Sequence, residues 1–190
     1  MSITLIVGLG NPGAEYVKTR HNAGFWLLDQ WAEQQRGQFR HEAKFHGEMC
    51  RIESGSHKYY LLKPSTFMNL SGKAVAALAN FYKIPPEQIL VAHDELDFAE
   101  GVARLKQGGG DGRHNGLKSI IACLGSNQFL RLRIGIGHPG HSEQVLGHVL
   151  GVPTRSQRDA IQTALDKSID VLPLLLAGEL HAATQRLHTA

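Results

Sequence analysis

The stretch ITLIVGLGNPGAEYVKTRHNAG, residues 3–24, runs from an apolar, β-branched segment straight into Gly8, Gly10 and Gly13. Such a run, broken by glycine, reads as a short buried strand that turns sharply. The glycines also satisfy GxGxxG, the phosphate turn of dinucleotide-binding folds. That fold launches its helix from the third glycine and presents an acid about 20 positions on. Here the helical pattern starts only at Phe25, Leu28 and Trp31/Ala32, with Asn22 as the expected cap, and the nearest acids, Asp29 and Glu33, fall inside that helix. The cofactor reading therefore fails. A bare turn does not explain the polar groups Asn11, Tyr16, Arg20, His21 and Asn22 crowded into one loop, and loops at strand ends are where a rigid sheet displays chemistry.

The rest of the chain repeats the alternation. KFHGEMCRIES and HKYYLLKPS read as strands, and Ser71 is placed to cap a helix carrying Val75, Leu78 and Tyr82 that stops before Pro85 and Pro86. ILVAHDEL is a buried strand ending in charge, GVARLKQ is extended, GGGDGRHNG is a loop, and LKSIIACLG is a helix. FLRLRIGIG alternates like a strand with one wet face. From Thr154 to Ala177 a long amphipathic helix is expected, broken near Pro173, with a short helix after it. Strands interleaved with helices make an α/β layered domain, and 190 residues suit one such domain, 1–190, with a central sheet.

Composition narrows the class without choosing it. No apolar stretch approaches the roughly 18 residues of a membrane span. MSITLIV lacks the basic leader and cleavage site of a signal peptide, so a cytoplasmic location is expected. Cys50 and Cys123 lie far apart without metal-ligand spacing, and no zinc site or disulfide framework is expected. A net charge of +3 with 11 histidines permits a nucleic-acid partner and proves none.

Five segments, GLGNPGAEYVKTRHNAG, TFMNLSGKAVA, ILVAHDELD, GGGDGRHNGLK and RLRIGIGHPG, appear in an order and register that closely resemble bacterial peptidyl-tRNA hydrolase, over residues 3–188. The resemblance implies a monomeric α/β fold, a twisted mixed β-sheet surrounded by α-helices. It also implies hydrolysis of the ester joining a peptide to the 3′ ribose of tRNA, with no cofactor or metal. The same fold in an RNA-binding relative that does not cut is the rival reading; retention of His21, Asp94 and three loop asparagines argues against it.

The residues suit that chemistry. No GxSxG elbow is present and neither cysteine lies in a motif loop, so water is the expected nucleophile. His21 is the candidate base, and Asp94, a charge at the end of an apolar strand, is the candidate partner that the resemblance sets beside it. His93 and Glu95 are expected to point elsewhere on an extended chain. Asn11, Asn69 and Asn115 offer donors and acceptors without charge; a charge-free pocket would reject the free ammonium of aminoacyl-tRNA. The resemblance assigns that discrimination to Asn11, and peptide and terminal-adenosine binding to Asn69 and Asn115. Tyr16, Phe67 and Met68 suit a varied peptide or a stacked base. Alternation puts Arg104 with Lys106, and Arg131 with Arg133, on strand faces; the resemblance makes Lys106 and Arg133 a tRNA phosphate clamp, with Arg104 beside them. Asp111 and Arg113 depart from the family's habit of glycine or histidine; either they pair locally, or Asp111 repels phosphate while Arg113 attracts it.

Overall fold

The computed structural model describes all 190 residues, Met1–Ala190. Its elements in chain order are β1 (Leu5–Gly8), α1 (Ala23–Gln34), β2 (Arg40–Glu42), β3 (Gly47–Ser54), β4 (His57–Pro64) and α2 (Ser71–Phe81). β5 (Ile89–Glu95), β6 (Ala103–Gln107), α3 (Asn115–Leu124), β7 (Leu130–Gly135), α4 (Val145–Val149), α5 (Arg155–Leu176) and α6 (Leu180–Thr189) follow. The seven strands form one sheet in the order β2-β3-β4-β1-β5-β7-β6. Its central strands β4, β1, β5 and β7 are parallel, while β2, β3 and β6 add antiparallel edges.

Alternation along the parallel strands feeds two cores. Ile6, Leu90 and Ala92 face α1, α5 and α6, while Leu5, Val7, Ile89 and Val91 face α2 and α3. A strand covered on both faces has no polar side to show, which is why β1 reads as an unbroken apolar run. The first glycines serve packing. A Cβ on Gly8 would lie 2.4 Å from the Gly24 carbonyl oxygen, and one on Gly24 would lie 2.4 Å from that of Ala92, so two bare backbones let the start of α1 press onto β1 and β5. Gly13, at φ 109°, makes the one left-handed turn of the loop that follows.

Several sequence expectations change in detail. Asn22 precedes α1 but caps nothing with its side chain, and the buried face of α1 takes Leu27 in place of Phe25. Ser71 is the first residue of α2 and donates its hydroxyl to the Met68 carbonyl instead of capping. α5 runs unbroken through Pro173: the proline lies in the last turns, where Val171, Leu172 and Leu175 are buried and hold the helix against the sheet. Thr154 and Gln157 close a capping box at its start. β7 has no wet face; Arg131 is buried under the glycine loop, whose carbonyls it holds, and Arg133 is half-buried between Glu95 and the Phe98 ring.

Parallel strands end together, so the loops after β1, β4, β5 and β7 gather at one edge of the sheet. β1 sends its chain to the α1 side and β4 to the α2 side, the arrangement that opens a crevice between neighbouring strands. The glycine loop arrives differently. Antiparallel β6 ends at Gln107 opposite Leu130, the start of β7, so residues 108–114 run back along β7 to reach the same edge.

Candidate active site

The loop between β1 and α1 is two short 3₁₀ turns, Ala14–Tyr16 and Arg20–Asn22. It is held at both ends. Asn22 accepts the Asn11 N–H at 2.8 Å and donates to the Asn11 carbonyl at 3.0 Å, so the amide that could have capped α1 closes the loop instead. Buried Arg20 donates through its main chain to the Gly151 carbonyl and through its guanidinium to the His148 carbonyl and Gln157, each at 3.0 Å. His21 sits between these two anchors.

His21 Nδ1 lies 2.8 Å from Asp94 Oδ2 at the end of β5. Both side chains are buried, and the ring borders a cavity of about 550 Å³. Burial works against a charge on His21, yet the Asp94 carboxylate, by its charge and its hydrogen bond, outweighs that and raises the ring above 6.5. Burial likewise favours the neutral form of Asp94, but His21 and a second histidine hold it well below the usual carboxylate range. The second is His114, whose Nε2 lies 2.8 Å from Asp94 Oδ1. The sequence reading gave His114 no role; the one signal available was its place in the GGGDGRHNGLK motif, next to Asn115.

The expectation that His93 and Glu95 turn away is corrected. Both border the same cavity. The His93 ring packs against His114, its Nδ1 donates to the Asp94 carbonyl at 2.8 Å, and its buried Nε2 has no partner. Burial, then His114, lower its pKa to about 4. Glu95 accepts from Arg133 Nε at 2.8 Å. The cavity is not charge-free either: Glu95, Asp97, Asp111, Lys106, Arg113, Arg131 and Arg133 also line it.

The amides divide. Asn11 is buried, and its Oδ1 accepts the Met68 N–H at 2.7 Å, which joins the β1 and β4 loops. Asn115 is exposed on the rim of the cavity, whereas Asn69 is exposed outside it. Asn11 borders instead a smaller hollow of about 360 Å³ with Val17, Trp26 and Lys63. Tyr16 and exposed Phe67 meet edge to face with centroids 6.3 Å apart, while Met68 is buried in the core with Leu9 and Leu117. Of the basic residues, Lys106 and Arg133 border the cavity and Arg104 does not; Arg104 turns its guanidinium back to the Ala103 carbonyl. Arg131, grouped with Arg133 by alternation, holds the carbonyls of Gly109 and Gly110 from below. Asp111 accepts the Arg113 main-chain N–H at 2.8 Å and makes no ion pair with its side chain, because two residues of turn bring the backbone nearer.

His21, Asp94 and His114 place three ligand-type atoms within 4.8 Å. Two tetrahedral ligands with zinc bonds of about 2.0–2.1 Å stand about 3.3 Å apart. The 2.8 Å contacts here are those of ring N–H groups donating to a carboxylate, and the donor set is spent on hydrogen bonds.

A histidine hydrogen-bonded to a buried carboxylate at the edge of a cavity is a geometry suited to proton transfer. The family model for peptidyl-tRNA hydrolase matches residues 5–190. A peptidyl-tRNA hydrolase of Methylobacillus flagellatus is 57% identical over 187 residues, 98% of this chain and 97% of that protein. One from Halorhodospira halophila is 53% identical over 184 residues, 97% and 95% of the two chains. The crystal structure of peptidyl-tRNA hydrolase from Acinetobacter baumannii superimposes with a TM-score of 0.95 at 47% identity, covering 98% of this chain and 94% of that one. With its fold, its motifs and its whole length matched, the chain belongs to the peptidyl-tRNA hydrolase family, hydrolases that act on the ester bond of peptidyl-tRNA.

Proposed function

We propose that this chain cleaves peptidyl-tRNA by attack of water on the ester carbonyl, with His21 as the general base. The observation that carries the reading is the 2.8 Å contact between His21 Nδ1 and Asp94 Oδ2 at the cavity edge. With Nδ1–H committed to the carboxylate, Nε2 keeps its lone pair and takes a proton from water as the new C–O bond forms. The tetrahedral intermediate then expels the 3′ ribose oxygen, which recovers that proton from the imidazolium, giving free tRNA and the peptide acid. Neutral His21 is the working form, so the rate rises with pH through a pKa above 6.5.

Asn11, Asn69 and Asn115 are the proposed contacts to peptide and terminal adenosine, with Tyr16 and Phe67 forming the apolar side and buried Met68 supporting it from the core. Lys106, exposed and without an ion pair, and Arg133 are the proposed phosphate contacts, with Arg104 at their margin. Arg133 must then exchange Glu95 for phosphate. A substrate made on tRNA fits a monomer working in the cytoplasm, and no helix here is long and apolar enough to cross a membrane.

The test uses two substrates. Purified protein is expected to cleave N-acetylaminoacyl-tRNA and largely spare aminoacyl-tRNA, and His21→Ala to abolish turnover while tRNA binding stays nearly intact. Full activity in the alanine variant would remove the mechanism.

A further inference from the structure

His114 holds two elements at once. It is the N-cap of α3: ring Nδ1 accepts the main-chain N–H groups of Gly116 and Leu117, the second and third helical residues, at 3.1 and 3.4 Å. An imidazole nitrogen that accepts carries no proton. The proton of the neutral ring therefore sits on Nε2, which faces Asp94 Oδ1 at 2.8 Å and donates to it. The cap thus fixes the tautomer.

The consequence reaches the base. Asp94 is left with Oδ1 occupied and Oδ2 toward His21, so the carboxylate cannot rotate without losing a buried hydrogen bond. We propose that His114 is a positioning residue: through its helix-capped tautomer it locks the Asp94 carboxylate in the orientation that holds His21, an inference that rests on His21 being the base. It also shares the carboxylate charge, which tempers the pull of Asp94 on the His21 proton. The groups facing His21 are Asp94 from β5 and His114 from the start of α3, with His93 behind His114. Arg20 in the same turn is turned to His148 and Gln157, and Glu95 and Arg133, which also line the cavity, pair with each other.

Two substitutions separate the cap from the lock. His114→Asn puts an acceptor at the position of Nδ1 in one of the best N-cap residues and removes the reach to Asp94. His114→Gln keeps a donor at the distance of Nε2 and loses the cap. Each variant is assayed for kcat and KM on N-acetylaminoacyl-tRNA against pH, with its Tm. For His114→Asn the expected result is a Tm within a few degrees of wild type, the kept cap partly offsetting the lost bond to Asp94, with little change in KM and kcat down by more than the Tm change accounts for, on the order of tenfold. The rising limb of its pH profile moves to higher pH, since an unshared carboxylate holds the His21 proton more tightly. For His114→Gln the expected result is a Tm lower by about 2–4 °C with the limb near its wild-type position. Wild-type kcat and limb in His114→Asn, or loss in both variants only in step with Tm, would make His114 a helix cap alone and overturn the proposal. His21→Ala is run beside them: if it stays active, the base assignment fails, whereas an inactive His21→Ala with an unaffected His114→Asn removes only the lock.

Discussion

The Oδ1 atom of Asn11 is taken by the Met68 N–H at 2.7 Å, so the part of its amide left for a substrate is the NH₂ group. An N-blocked aminoacyl group can offer that donor a carbonyl, but a free ammonium has only donors of its own, and burying it there leaves both unmatched. Asn11→Asp keeps an acceptor for Met68 and replaces the NH₂ with an oxygen. Cleavage of N-acetylaminoacyl-tRNA is then expected to fall about tenfold or more, and the preference over aminoacyl-tRNA to narrow, read as the ratio of kcat/KM for the two substrates. The contact of His21 with Asp94 was legible in sequence, because both lie where strands of the sheet end in motif loops. His114 was missed because a histidine N-cap leaves no sequence mark of the kind serine, threonine, asparagine and aspartate leave. Arg131 was misplaced because its burial depends on a loop folding back over it, which no local period records.

At the next scale, the helix that follows the His21 turn is seated by backbone on backbone. A methyl group on Gly24 would meet the Ala92 oxygen at 2.4 Å and the Leu9 nitrogen at 2.5 Å, neither of which can swing aside. Gly24→Ala is expected to cost about 1–3 kcal/mol, as overpacking does, measured by denaturant unfolding. Gly147→Ala in α4 meets nothing within 4 Å and should instead gain about 0.5–1 kcal/mol from helix propensity. Equal effects at the two glycines would show that close seating of α1 is unimportant. Most elements were legible from period and punctuation, because apolar spacing directly reflects the face each one buries. β2 was not: at three residues, with its side chains largely exposed, it exists only by pairing with β3. Nor was the continuity of α5 through Pro173, where tertiary burial overrides a local breaker.

For the molecule as a whole, three buried ionisable groups around one strand end set separate pH windows. His93 is neutral in the fold, with a pKa lowered to about 4 by burial and by His114. Between pH 6.5 and 4 the unfolded chain binds a proton there that the folded one refuses, so stability falls as pH falls across that window, by about 3 kcal/mol in all. The Asp94 contribution is present above its unfolded value of 3.8 and is lost below that window, while the raised His21 contributes below 6.5 and loses its share above it. His93→Asn, which can keep a donor to the Asp94 carbonyl, should flatten the decline of stability between pH 6.5 and 4; chemical unfolding at a series of pH values checks it, and an unchanged slope would count against a neutral buried His93. The α/β class was legible from alternation alone, but the order β2-β3-β4-β1-β5-β7-β6 was not, since it depends on which strands meet across long stretches of chain.

The Glu95–Arg133 pair has one more consequence when set beside the proposed hold on tRNA. The protein carries its own rival for that guanidinium, tethered a fraction of a nanometre away and always at high local concentration. Grip on an incoming phosphate is discounted by the bond it displaces, and the same bond stands ready to reclaim the arginine afterwards. If Arg133 holds tRNA as proposed, an enzyme whose product is as highly charged as its substrate would thereby have a way to let go.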